Sequence, residues 1–347
     1  MWPLPLVLLL LDPASAGVFG DKTMRGDWRP DVASELVLPR GRWVLDLTAA
    51  TRASTEVRGA FGIPAPYDDA VFRTSTFTIG VETGLSDRTT LYLRAPWVDH
   101  HLTNGLGANI RTTALGDAHS GVRFQPWVGR AHALAFGVDL KSPSGLEWPA
   151  NTRGGDAHTE GFLTGTGTTN VSVATLGRVR AGESFAFDGR VAYTHKFASV
   201  VGYVVEIGGF GDGWLKPGDE FRGDLAVTEQ LDDHVSVRLS GTARYVGSYL
   251  VGVSGPGVTK LELYWLGSEE PYTYDDGTVG TIETDPSGWF VDAAAHVTVT
   301  PSKHVVLSAD ASASMLGADG RFFTHLGLEE FSPAPGLTLG ASGAVRW

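Results

Sequence analysis

From Arg42 onward the apolar residues fall on every second position, in runs of about ten that are separated by turn formers. Phe77, Ile79 and Val81 alternate with Thr76, Thr78, Gly80 and Glu82, and Leu91, Leu93, Ala95 and Trp97 with Thr90, Tyr92 and Arg94. The same period of two carries Leu134, Phe136, Val138 and Leu140 against Gly137, Asp139 and Lys141, and Val235, Val237 and Leu239 against Ser236, Arg238 and Ser240. A period of two is the signature of β-strands with one wet and one apolar face. Thirteen such segments begin near Arg42, Val71, Thr89, Gly116, His132, Thr166, Ser184, Asp219, Val235, Ser287, His304, Gly320 and Gly336.

Alternation alone would also suit a soluble sandwich, but the connectors favour a membrane barrel. Tight turns at Leu85–Arg88, Gly129–Ala131, Leu231–His234 and Pro301–His304 alternate with long connectors at Ser54–Ala70, Asp99–Leu115, Ser142–Phe162, Ala198–Gly218 and Gly247–Ser287. Short turns on one rim and long loops on the other is the plan of outer-membrane barrels. Trp43, Trp127 and Trp347 fall at short-turn or terminal strand ends, and Trp97, Tyr245 and Trp289 at long-loop ends. Two aromatic girdles are what a lipid-facing belt requires, because Trp and Tyr settle at the bilayer interface. The expected fold is therefore all-β: a single transmembrane antiparallel β-barrel of the bacterial outer-membrane type. Such single-chain barrels have an even strand number. Twelve strands are preferred, with one C-terminal segment read as a loop. Fourteen would require a strand hidden in Val201–Gly208 or Thr259–Leu266.

Composition agrees with that plan. The chain has 45 glycines among 347 residues, about twice the usual ~7 %, which disfavours a helix-rich enzyme. No cysteine is present, which removes disulfide frameworks and thiolate chemistry. With 39 Asp and Glu against 27 Lys and Arg the net charge is -12, the wrong sign for binding nucleic acid. Seven acids between Glu262 and Asp285, with no Lys or Arg among them, mark one predicted outer loop. Residues 1–16 read as a secretory signal peptide: the aliphatic run Pro3–Leu11 followed by Ala14-Ser15-Ala16, although no Lys or Arg precedes the run. Residues 17–40 are read as an N-terminal periplasmic extension or plug, and residues 41–347 as the barrel.

The expected function is that of an outer-membrane channel or transporter for passive or gated passage of small solutes. Its polar, mixed-charge lumen would be lined by Glu82, Arg94, Arg123, Asp139, Lys141, Asp188, Arg190, Arg222, Asp224, Arg238, Arg244, Asp292 and Asp310. The apolar stretch Val200–Phe210 is a candidate inward-folded constriction or hydrophobic capture site. The alternative is a lipase- or protease-like barrel enzyme, or a surface adhesin, acting through the long loops. Its candidate groups are Asp99, His100, His101, Asp117 and His119, a set able to activate water or hold a metal. No catalytic, cofactor-binding or metal-binding motif is assigned. The expected partners are the lipid bilayer and lipopolysaccharide.

Three short motifs resemble one family. Leu115-Gly116-Asp117-Ala118 with Gly121-Val122-Arg123-Phe124, then Asp139-Leu140-Lys141-Ser142-Pro143-Ser144-Gly145, then Gly165-Thr166-Gly167-Thr168-Thr169-Asn170, resemble strand ends of the outer-membrane family called "MetA-pathway of phenol degradation". The resemblance implies an outer-membrane barrel associated with uptake of aromatic or other hydrophobic compounds. In addition, the amphipathic last segment ending on Trp347 resembles the C-terminal signal read by the barrel-assembly machinery.

Overall fold

The computed structural model describes residues 36–54, 56–58, 64–66, 71–103, 109–129, 131–145, 168–182, 184–197, 199–205, 209–216, 218–247, 249–254, 260–261, 272–273, 280–284, 288–302, 304–316, 332–333 and 337–347. Twelve long strands carry the architecture: β1 (Trp43–Ser54), β2 (Val71–Ser86), β3 (Thr89–Thr103), β4 (Ala118–Val128), β5 (His132–Ser142), β6 (Asn170–Ala181), β7 (Phe185–Lys196), β8 (Glu220–Gln230), β9 (Val235–Val246), β10 (Gly288–Ser302), β11 (Val305–Leu316) and β12 (Leu337–Arg346). Each pairs antiparallel with its sequence neighbours, and β1 pairs with β12, so the twelve strands close into a ring. Inside a bilayer this is the only way a sheet satisfies its backbone groups. The seam is finished by Trp43 N–H donating to Trp347 O at 3.0 Å and Trp347 N–H donating to Trp43 O at 3.2 Å.

The ring closes with twelve strands, the preferred number. Twelve of the thirteen predicted segments map onto β1–β12; the one beginning near Gly320 falls outside the described residues. Burial separates the two faces. Leu47, Phe77, Ile79, Leu91, Leu93, Phe124, Phe136, Val138, Phe187, Leu225, Leu239 and Leu307 are exposed, whereas the alternate positions are mostly buried or half-buried and polar. Exposed apolar outside and buried polar inside is the reverse of a soluble domain, and it defines a lipid-facing wall. Trp43, Trp127, Trp347, Trp97 and Trp289 lie exposed at its two borders, with the Tyr245 ring 5.4 Å from that of Trp289.

Three predicted connectors are corrected. β3 runs on to Thr103, and Asn109–Leu115 folds back to pair with it, so Asp99–Leu115 is a hairpin rather than a loop. Ser199–Val205 pairs with Gly209–Lys216 between β7 and β8, so these residues of the predicted connector are two paired strands. Tyr249–Ser254 pairs with Gly280–Thr284 between β9 and β10 and joins the same four-stranded sheet, extending the wall past the apolar belt. Ladder pairing continues in these places because the sequence keeps strand-forming residues where the lipid-facing alternation has stopped.

The two faces predict opposite tolerances. Leu239 is 55 % exposed near mid-strand, so Leu239→Arg is expected to cost about 2–4 kcal/mol of folding free energy in bilayers. Ser240 faces the interior between Ala226 and Ala294, and Ser240→Arg is expected to cost clearly less. Reversible denaturant unfolding in liposomes compares the two; equal costs would contradict the assignment of faces.

Candidate functional site

The interior of the barrel is a set of charges held against one another. Glu82 on β2 accepts from Arg94 of β3 at 3.0 Å and forms an ion pair with Arg123 of β4 at 2.8 Å, and its side chain is only 1 % exposed. Asp188 on β7 sits between two arginines in the same way. Arg178 of β6 donates to it from Nε at 2.6 Å and from Nη2 at 3.2 Å, and Arg238 of β9 approaches from the other side. A carboxylate between two guanidiniums offsets the cost of removing all three charges from bulk water.

Tyr92 packs beside the two arginines of the Glu82 cluster. Its ring lies 5.5 Å from the Arg94 guanidinium and 5.2 Å from that of Arg123, within cation–π range. Its hydroxyl donates to Asp139, whose other oxygen is 3.6 Å from His119 Nδ1. The backbone at Gly121 makes this possible, because a Cβ there would collide with the Tyr92 hydroxyl. Arg244 of β9 stacks over the Phe290 ring at 4.4 Å.

The predicted lumen residues therefore fall as follows. Glu82, Arg94, Arg123, Asp139, Asp188 and Arg238 form the linked clusters just described, while Arg190, Arg222, Asp224, Asp292 and Asp310 are buried or half-buried on the interior face. Lys141 sits at the β5 end, bonded to Asp117 at 2.7 Å. The distribution around the ring is uneven. The arc β3–β9 carries Arg94, Arg123, Lys141, Arg178, Arg190, Arg222, Arg238 and Arg244 together with the acids Asp139, Asp188, Glu220 and Asp224, whereas β10, β11 and β1 present Asp292, Asp310 and Asp46 with Arg52. Tyr92, Arg178, Asp46 and His296 also face inward and escape the sequence reading, although the period of two puts each on the interior face of its strand.

A second feature lies at the short-turn end. The segment Leu36–Arg40 runs inside the ring. Leu36 N–H donates to Gln125 Oε1 at 2.6 Å, Leu38 N–H donates to Thr90 Oγ1 at 2.6 Å, and Arg123 Nη1 donates to Leu36 O at 3.3 Å. Leu36 packs on Ala135, Ala174, Leu176 and Ala192 of β5–β7, whereas Leu38, 1 % exposed, packs with Val44, Val306 and Ala344 of β1, β11 and β12. Two leucines two residues apart thus touch opposite walls, and the backbone between them crosses the interior. Gly84 makes room, since a Cβ there would strike the Pro39 carbonyl.

The enzyme-like groups do not converge. His100 faces inward, its Nδ1 2.9 Å from Thr74 Oγ1, while Asp99 and His101 share the outer face. Asp99 instead accepts from Arg111 at 2.8 Å and from Thr113, and the Arg111 hydrogen bond holds its carboxyl below the usual carboxylate range. Asp117 accepts from Lys141 and from Gly145 N–H at 3.1 Å, while Ser144 Oγ accepts from Ala118 N–H at 2.7 Å and donates to Gly116 O at 3.1 Å. Two of the three family-like motifs thus meet as one clasp joining β4 to β5 at the long-loop rim. Thr168 Oγ1 donates to Asn170 Oδ1 at 3.0 Å at the start of β6, and Thr169 O accepts from Phe197 N–H at 2.9 Å; Gly165, Thr166 and Gly167 of the third motif lie outside the described residues. Among the described residues no group of three metal-ligating side chains is present.

The Glu82 cluster gives a stability prediction. Glu82→Gln leaves Arg94 and Arg123 without their carboxylate and is expected to cost about 3 kcal/mol. Adding Arg94→Met should recover part of that loss. Urea midpoints of the refolded barrel test both, and a silent Glu82→Gln would mean that lumen water, not pairing, solvates these charges.

No protein-family model matches the sequence, and no curated protein matches it. Among solved structures, the COG4313 outer membrane channel from Pseudomonas putida F1 shares the fold over 94 % of this chain and 100 % of that one, with a TM-score of 0.61 at 12 % identity. The CymD monoaromatic hydrocarbon channel aligns over 89 % of each chain at 9 % identity and a TM-score of 0.48, and the Pseudomonas putida toluene transporter TodX over 89 % of each at 10 % and 0.47. These two are too distant to bear on this chain. The first likeness establishes the architecture: an outer-membrane-type β-barrel, which is also the fold implied by the family resemblance in the sequence.

Proposed function

We propose that the chain is an outer-membrane channel that passes small solutes through its charged interior, with the N-terminal segment 17–40 acting as a plug at the periplasmic mouth. The observation that carries this reading is the closed wall with charged side chains inside it, crossed at one end by Leu36–Pro39. A purely structural barrel has no use for buried charge, which is costly to bury and is retained where a watery path is needed. Among the described residues, the plug is tied to the wall by three backbone donors, at Leu36, Leu38 and Arg40, by one arginine contact and by two leucine side chains. Such contacts are of the size that solute or a periplasmic protein could break.

The substrate class follows from the lining. Arg–aromatic stacks at Tyr92 and Phe290 present both a cation and a π-face, which suits small aromatic solutes carrying a carboxylate or hydroxyl, in line with the aromatic uptake implied by the sequence resemblance. β12, ending at Trp347, serves as the segment read by the barrel-assembly machinery.

Planar-bilayer recording of refolded protein tests the reading. The full-length barrel should show small, fluctuating conductance. Removal of residues 17–38 should raise it and reduce the fluctuation, because both leucine anchors go. A well-folded barrel that passes neither ions nor solute in liposome flux, with or without these residues, would reject the channel.

A further inference from the structure

The outer face of β1–β3 and β12 carries a feature that conduction does not use. Register places three cross-strand rows one above another on the same outward face. Ala341, Ala49, Phe77, Trp97 and Leu115 form the first; Leu339, Thr51, Ser75, Asp99 and Thr113 the second; Ala53, Arg73, His101 and Arg111 the third. In the lowest row the exposed Phe77, Trp97 and Leu115 mark the upper border of the lipid belt. Four residues further along tilted strands, roughly 10 Å above that border, the row turns basic. Arg73 and Arg111 are exposed and flank His101 on neighbouring strands, so their Cα positions are separated by two strand spacings, about 10 Å.

Beneath the basic row the wall is hollow. The side chains of Ala49 and Ala341 are too short to continue the surface of Phe77, Trp97 and Leu339, and a groove of 510 Å³ opens between them with Thr51, Ser75 and Asp99 at its upper lip. The hydroxyls of Thr51 and Ser75 are 3.2 Å apart across that lip. Asp99 bonds Arg111 bidentately and so fixes its guanidinium above the aromatic row, leaving further N–H donors of the fork to point elsewhere.

We propose that this face is a docking site for one lipopolysaccharide molecule of the outer leaflet, with an acyl chain of its lipid A in the Ala49–Ala341 groove and its phosphates on Arg73, His101 and Arg111. Charge complementarity selects the occupant. Cations at headgroup height meet phosphates, and a row wide enough to span two phosphates suits the bisphosphorylated disaccharide of lipid A better than a single phospholipid headgroup. The groove lies directly below the row, where an acyl chain leaving that headgroup would descend.

Native mass spectrometry of the full chain in detergent, titrated with bisphosphorylated lipid A, reads the site. Wild-type protein should retain one lipid A, and binding should weaken with added salt. The R73A/R111A double variant should bind roughly tenfold more weakly or worse, while R73K/R111K should keep most of the affinity. Arg88→Ala, at a short turn on the opposite rim, should change nothing. Equal retention by R73A/R111A, an equal loss in Arg88→Ala, or equal binding of dephosphorylated lipid A by wild-type protein would overturn the proposal. Equal binding of phosphatidylglycerol would overturn the choice of lipid. None of these readouts depends on whether the pore conducts.

Discussion

A peptide group inside a bilayer has no water to bond, and every other property of this structure follows from that constraint. The chain meets it by pairing each strand on both sides and closing β1 on β12. Once the ring is closed, the period of two in the backbone turns a linear sequence into two surfaces with different solvents. Leu239 and Ser240 are neighbours in sequence yet face lipid and lumen, and the same holds along every long strand.

The interior then presents its own problem, because the charges there lie far from bulk water. Carboxylates set between arginines, as at Glu82 and Asp188, answer it locally, and Tyr92 packs beside the two arginines of the Glu82 cluster. The answer is not symmetric. Most interior cations lie on β3–β9, where Asp139, Asp188 and Asp224 partly offset them, while β10 and β11 add the acids Asp292 and Asp310, so the two sides of the ring differ in charge balance. The plug segment lies across the same axis, anchored to both sides.

How much of this the sequence discloses depends on whether the two faces of a strand meet different solvents. Where they do, as in Phe77–Glu82 or Leu134–Lys141, alternation shows both the strand and its facing. Above the belt both faces are wet, the contrast disappears, and Asn109–Leu115 or Tyr249–Ser254 read as loop although they pair as strands. Interior residues are legible as a set but their partners are not. Asp188 meets Arg178 as its direct cross-strand partner in the β6–β7 hairpin, but Arg238 reaches it across β8, a pairing that no local spacing encodes. The docking of Leu36 and Leu38 was equally hidden, because two leucines in a short segment form no pattern until the walls they touch exist. The clasp of Asp117, Lys141 and Ser144 shows the opposite case: residues that stand out as motifs do so because they build the rim.

The ladder between Trp43 and Trp347 has a consequence for how the molecule is made. It joins the first barrel strand to the last, so no partial chain can form a finished wall, and every intermediate carries two open edges that must be shielded until the final strand arrives. Closure is therefore the last event and the one with the greatest loop-closure entropy against it. Small side chains crowd the strands at that seam, Ala49 and Ala50 on β1 facing Gly340 and Ala341 on β12, which lets the two edges slide into register with little side-chain obstruction. The same small side chains leave the hollow on the outside of the wall.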